Sequence, residues 1–216
     1  MALKKKVSIA VVRRLPRYFR YLSDLLKIDI TRVSSKELSN RMGITASQIR
    51  QDLNCFGGFG QQGYGYNVES LYNEIGNILG VNNKFHTIII GTGNMGQALA
   101  NYPNFEKRGF LLTAIFDVNP KLIGKKIKNM EIMHLDTIEE FVKHNRVDIA
   151  MITVPSDHTP EAAERVARLG IKGLWNFSPM DLKLPYDIII ENVHLSDSLM
   201  VLGYRMNEKF KNNTIV

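Results

Sequence analysis

Apolar residues at Val7, Val11, Leu15, Phe19, Leu22 and Leu26 keep helical spacing, so the chain is expected to open on a scaffold helix that Pro16 either kinks or restarts. Two shorter signals follow. In "SSKELSNRMG", Ser34 and Glu37 fit a capping box, Leu38 and Met42 form an inward pair, and Gly43 stops the helix. "ITASQIRQDLNCF" repeats the pattern, with Thr45 and Gln48 as box and Ile49 and Leu53 as inward pair. Two short capped helices joined by a tight glycine turn predict a helix-turn-helix. Its second helix would turn Ala46, Ser47, Arg50 and Gln51 outward toward base edges, with Thr45 and Gln48 at its start in the same interface. The competing reading is a plain helical bundle in which these side chains are merely solvated.

"GGFGQQGYGYNV" then places five glycines among positions 57–66 with aromatics between them, which predicts a hairpin rather than a linker. A hairpin after a recognition helix is a wing, where Gln61 and Gln62 could donate hydrogen bonds to DNA. Leu71, Ile75, Ile78 and Leu79 close the first domain as an amphipathic helix ending at Gly80.

From there the period changes. The buried strand "TIII" runs into Gly91-Thr92-Gly93-Asn94-Met95-Gly96 and a helix, the strand-turn-helix context in which this glycine spacing cradles a pyrophosphate. A second apolar strand, "LLTAIFD", ends in Asp117, placed to accept from an adenosine ribose and to repel a 2′-phosphate, so NADH and NAD+ are expected over NADP(H). Another adenine nucleotide or coenzyme A is the alternative ligand. Helix and strand signals alternate onward, with Thr159 as a helix cap before Pro160, to short strands near "GLWNF" and "DIII" that complete a half-wound sheet. The terminal segment carries an apolar stripe at Leu195, Leu199, Leu202, Met206 and Phe210 that must cover its own sheet or reach into a partner. The expected architecture is α/β: a winged helix-turn-helix domain at 1–80, a Rossmann-type parallel-sheet domain at 84–192, and a terminal helix at 193–216, which the resemblance stated below makes a dimerisation helix.

Charge sharpens this division. Residues 1–80 carry 12 Lys/Arg against 6 Asp/Glu, whereas residues 81–216 carry 16 against 15, so the basic excess and its polyanionic partner belong to the front. No apolar run approaches a membrane span, and the basic start lacks the apolar stretch of a secretion signal, so no membrane is expected. With Cys55 as the single cysteine, no internal disulfide is possible and a reducing cytoplasm is expected. The five histidines are scattered without a fixed-spacing carboxylate or a metal-ligand pattern, so no metal and no catalysis are expected. "NFSP", Asn176 to Pro179, suits the nicotinamide end of a cofactor, for binding and not turnover. A small NAD-dependent oxidoreductase with an incidentally basic front is the rival class.

The stretches "SSKELSNRMGITASQIRQDLNCFGGFGQQGYGY", "GTGNMGQALANYP", "IFDVNPKLIG" and "GIKGLWNFSP" together resemble the Rex family of redox-sensing transcriptional repressors. The resemblance implies a homodimer that binds palindromic double-stranded operators when NADH is scarce and leaves them when NADH binds, with C-terminal helices exchanged between subunits. It puts Gly91, Gly93, Gly96 and Asp117 on the dinucleotide positions, Pro155, Asn176 and Phe177 on the nicotinamide side, and Arg20 and Tyr102 against the start of the partner's C-terminal helix. Two departures matter. His194 stands where the family commonly has an acidic residue, so an Arg20 ion pair there would need another group. Gln51, Gln61 and Gln62 stand where basic residues are common, which implies an altered base preference and a smaller share of salt-dependent affinity from the wing.

Overall fold

The computed structural model describes residues 7–57, 60–61 and 64–211 and divides the chain into two compact units, Met1–Asn83 and Lys84–Val216. Pro16 restarts the first helix rather than kinking it: a single turn, α1 (Ile9–Val12), precedes α2 (Leu15–Leu26). Helix α3 (Ser35–Met42) has the full capping box, with the Ser34 hydroxyl accepting from Glu37 N at 3.1 Å and the Glu37 carboxylate accepting from Ser34 N at 2.6 Å. Gly43 ends it in the left-handed conformation.

The next helix, α4 (Ala46–Asn54), is capped by half of the expected box. Thr45 Oγ1 accepts from Gln48 N at 3.1 Å, but the Gln48 side chain does not return to Thr45; its Nε2 donates to Asp52 Oδ1 at 2.8 Å. An inward acceptor four residues on outcompetes the exposed end of the helix.

The wing is a hairpin of β2 (Gly60–Gln61) and β3 (Gly65–Asn67), and an unexpected strand, β1 (Arg32–Val33), pairs with β3 to give the order β1-β3-β2. Asn67 then caps α5 (Val68–Leu79), which packs on α2. Leu15, Leu22, Leu38, Ile49, Leu53, Leu71 and Ile75 fill the core between these helices. Phe19 stacks on Tyr72 at 4.3 Å.

The second unit is a seven-stranded sheet built on β4 (Phe85–Ile90), β5 (Phe110–Asp117), β6 (Lys126–Ile127), β7 (Met130–His134), β8 (Ile149–Ile152), β9 (Gly173–Asn176) and β10 (Ile189–Asn192). Its order is β10-β9-β8-β4-β5-β7-β6, parallel except for the β6–β7 hairpin. The sheet is therefore doubly wound rather than half-wound: counting the parallel strands alone gives the order 3-2-1-4-5-6 of a dinucleotide fold. The short final strand pair and the helix-free link from β5 to β7 leave too little periodicity for that order to be read from sequence.

Strand β4 is buried on both sides, as a central parallel strand should be. Ile88 and Ile90 face α7 (Ile138–His144) and α8 (Thr159–Arg168), while Ile89 faces α6 (Asn94–Asn101). Helix α9 (Leu195–Lys211) is the last element described, with every side chain described from Leu195 to Phe210 exposed, so it covers none of its own sheet.

Candidate functional site

The sheet order reverses between β4 and β8, and a cavity of about 500 Å³ opens beyond the carboxyl ends of these strands. Ligands of doubly wound sheets lie at this switch point. The glycine turn forms its floor. Gly91 holds φ +96°, and a Cβ there would stand 2.9 Å from Val154 Cγ1. At Gly96 a Cβ would overlap the Gly91 carbonyl oxygen and come within 2.9 Å of Thr153 Oγ1. Gly93 differs from both: a Cβ there meets nothing within 4 Å, which leaves open space over the N-terminus of α6. That helix begins on Gly93 without a side-chain cap, so its first amide groups remain available to an anion. Asn94 is exposed and Met95 half-buried on the same turn.

Asp117, at the end of β5, anchors the turn. Its Oδ2 accepts from Thr92 N at 2.6 Å and from the Thr92 hydroxyl, and its Oδ1 accepts from Asn119 N at 2.8 Å. Burial alone would raise this carboxyl group, but the bonds from Thr92, Asn119 and Val118 outweigh it and hold the pKa below the usual carboxylate range. These bonds fill its acceptor sites, so a ligand hydroxyl has to share an oxygen with one of the present donors or displace it. The anchoring contribution is complete above the ordinary Asp pKa and is lost as pH falls through the depressed folded value.

Of the residues marked by sequence, Gly91, Thr92, Gly93, Asp117 and Pro155 line this cavity together. Asn176 and Phe177 do not. Asn176 is fully buried, its Nδ2 donating to Met180 O at 2.8 Å and to Asn192 Oδ1 at 2.9 Å while its Oδ1 accepts from Ser178 N at 3.0 Å. Phe177 packs edge-on against Trp175 at 4.5 Å. Thr159 is likewise not a cap: it is buried inside the first turn of α8 and donates to Pro155 O at 2.9 Å, with His158 at the cap position.

Helix α8 and its cap residue supply lining that sequence reasoning missed: His158, Glu161, Ala162 and Arg165, a stripe at i, i+3, i+4, i+7 opposite the buried Ala163 and Val166. Arg165 is not free for a ligand phosphate. It makes a bidentate pair with Glu139, at 2.7 and 2.8 Å, and reaches Asp136 at 3.3 Å. With Asp117, Asp136 and Glu161 on the walls, the cavity disfavours an added phosphate.

In the first unit, α4 exposes Ser47, Arg50, Gln51 and Asn54 on one stripe and buries Ile49, Asp52 and Leu53. Asn54 extends the outward set by one turn, a position legible from the i, i+3, i+4, i+7 spacing. Thr45 is exposed and Ala46 half-buried at the helix start. Arg50 is steadied by Ser35 Oγ at 3.1 Å. Arg32 lies over the exposed Tyr64 ring at 5.9 Å and donates to Tyr64 O at 3.2 Å, holding the base of the wing. Gln61 lies in β2, and Gln62 falls outside the described residues.

Arg20 is exposed on α2, and Tyr102 is exposed at the end of α6 with its ring 4.7 Å from Phe105. His194, just before α9, pairs with Asp181 at 2.9 Å, and this carboxylate raises the imidazole pKa. Leu195 and Leu199 are 60% and 68% exposed. Among the described residues no group of three or more His, Cys, Asp or Glu could hold a metal ion, and no helix is long and apolar enough to cross a membrane.

Two family models match the chain, one described as a CoA binding domain over residues 82–180 and one as a putative DNA-binding protein N-terminus over residues 6–54. Similarity to whole proteins is closer. The redox-sensing transcriptional repressor Rex of Thermoanaerobacter pseudethanolicus is 60% identical over 209 residues, 97% of this chain and 93% of its own length. That of Clostridioides difficile is 56% identical over 204 residues, 94% and 97% of the two chains. Among solved structures, the Rex-family repressor RSP with beta-NAD+ and operator DNA superposes with a TM-score of 0.89 at 58% identity, covering 98% of this chain and 97% of that one. RSP with beta-NADH gives 0.89 at 55% identity, covering 98% and 100%. The chain belongs to the Rex family of redox-sensing transcriptional repressors.

Proposed function

We propose that this chain is a homodimeric, cytoplasmic repressor that binds palindromic operator DNA through the two α4 helices and releases it when NADH occupies the switch-point cavity. The observation that carries the reading is the open space over Gly93 beside the anchored Asp117, in a chain whose other unit is a helix-turn-helix. In this arrangement the amide groups at the start of α6 face the pyrophosphate, and Asp117 takes a ribose hydroxyl on an oxygen shared with one of its present donors. The acidic wall rejects the extra phosphate of NADPH, and it weighs equally against coenzyme A, whose adenosine is also phosphorylated.

NADH presents a neutral nicotinamide and NAD+ a charged one. A water-poor pocket at that end favours the neutral form, because an unpaired buried charge is costly. The exposed stripe of α9 gives the dimer its seam.

Equilibrium titration of the full chain with NADH and NADPH checks the acidic wall. NADPH should bind at least about tenfold more weakly, and Asp117→Asn should narrow that gap while weakening NADH on the order of tenfold. Equal affinities for the two cofactors in the wild type would contradict the assignment of Asp117.

The DNA side has its own check. Glutamine pairs bidentately with adenine, and lysine with guanine O6/N7, a preference of about 1–3 kcal/mol per base pair. Gln51→Lys should therefore shift one position of each half-site from A·T toward G·C in duplexes that differ only there. An unchanged preference would remove Gln51 from base readout.

A further inference from the structure

A carboxylate with 0% exposure stands in the middle of α4, the helix assigned to DNA. Four hydrogen bonds close around Asp52. Arg14 donates Nε to Oδ2 at 2.6 Å and Nη2 to Oδ1 at 2.7 Å, the Tyr18 hydroxyl reaches Oδ2 at 2.9 Å, and Gln48 Nε2 reaches Oδ1 at 2.8 Å. Arg14 sits at the junction of α1 and α2, and Tyr18 is one turn further along α2. The same helix also grips α3: Arg17 Nη2 donates to Met42 O at 2.6 Å and Tyr21 to Arg41 O at 2.6 Å. Arg14, Arg17, Tyr18 and Tyr21, at i, i+3, i+4, i+7, thus hold both halves of the helix-turn-helix through polar bonds.

A buried ion pair is by itself a weak source of stability. Replacing a buried ion pair by apolar groups of similar volume is often neutral or stabilising, and the neighbours Leu15, Ile49 and Leu53 are already apolar. Burial in an apolar seam is non-directional, whereas a bidentate guanidinium-carboxylate pair accepts one geometry. What that geometry decides is the opposite face of α4, where Ser47, Arg50, Gln51 and Asn54 stand.

We infer that Asp52 is a positioning residue for operator recognition: through Arg14, Tyr18 and Gln48 it fixes the rotation of α4 about its own axis and so selects which side chains reach base edges. Gln48 and Arg14 then act on Asp52 and not on DNA. The inference rests on the DNA-binding reading above.

The test uses the full chain and two duplexes of equal length, one selected by the wild type from a randomised library and one scrambled, at a single salt concentration. In Arg14→Met/Tyr18→Phe/Asp52→Leu the melting midpoint and NADH affinity should stay at or above wild type. The ratio of selected to scrambled affinity should fall at least about tenfold. Binding to the scrambled duplex should stay unchanged, since Arg14 is already neutralised. A wild-type ratio in this variant overturns the inference, and so does loss of the fold, which would make the cluster a stability device.

Tyr18→Phe gives an independent reading, because it removes one donor and keeps the ring in the core. Its ratio should fall about threefold with little change in melting, the weight of one hydrogen bond. An unchanged ratio again overturns the inference. If the wild type selects no duplex at all, the DNA-binding reading itself fails.

Discussion

Gly93→Ala should fold as the wild type does and lose NADH, whereas Gly96→Ala should lose the second unit's stability first. The two glycines lie in one turn, yet their surroundings oppose each other. A methyl group at Gly93 meets no atom within 4 Å, and its φ of −63° suits any residue, so the stability change should stay within about 1 kcal/mol. The same methyl fills the approach to the amide groups of α6, and NADH affinity should fall on the order of a hundredfold, about 2.7 kcal/mol. At Gly96 the methyl is driven into the Gly91 carbonyl and toward Thr153 Oγ1, with backbone on one side that cannot swing away. Overpacking of this kind costs about 1–3 kcal/mol and more where backbone is the obstacle. Thermal melting and calorimetric NADH titration of both variants separate the two effects. Gly93→Ala binding NADH like the wild type would place the pyrophosphate elsewhere.

Leu199→Asp/Leu202→Asp should turn the protein into a monomer without disturbing either core. The described side chains of α9 are exposed, so the substitutions remove no contact within the chain's own sheet. They do remove the apolar stripe, and an exposed stripe of Leu195, Leu199, Leu202, Met206 and Phe210 has no role in an isolated chain. Loss of the second half-site contact should weaken operator binding by about 10²–10⁴-fold, the scale set by effective concentration. Sedimentation of the variant at micromolar concentration reads the assembly directly. A dimer that persists with full operator affinity would assign the stripe to another partner.

Much of this arrangement was legible because it is local. Ser34, Glu37 and Gly43 announce a helix by hydrogen bonds that span three residues, and the glycine turn announces itself by sterics within six. What escaped depends on partners distant in sequence. Gln48 reads as half of a capping box until the buried Asp52 is seen to draw its amide inward, and Asp52 is buried because Arg14, 38 residues earlier, comes to meet it. Asn176 reads as a ligand residue, but its amide is spent on Met180, four residues on, and on Asn192, which the β9–β10 pairing brings within reach. Strand β1 is two residues long and exists only because β3 lies beside it. Arg165 is invisible as a cavity wall until α8 is laid across the switch point, although its spacing from His158 and Glu161 already marks one face. The terminal helix offered two destinations in sequence, and its exposure removes one of them.

The coupling between the two units is tested most directly by adding NADH to a preformed complex of the full chain with its selected palindromic duplex and following dissociation by fluorescence anisotropy. NADH should release the DNA at concentrations at which NAD+ and NADPH leave it bound. A complex that stays intact while calorimetry shows the cavity filled by NADH would contradict the proposed redox sensing.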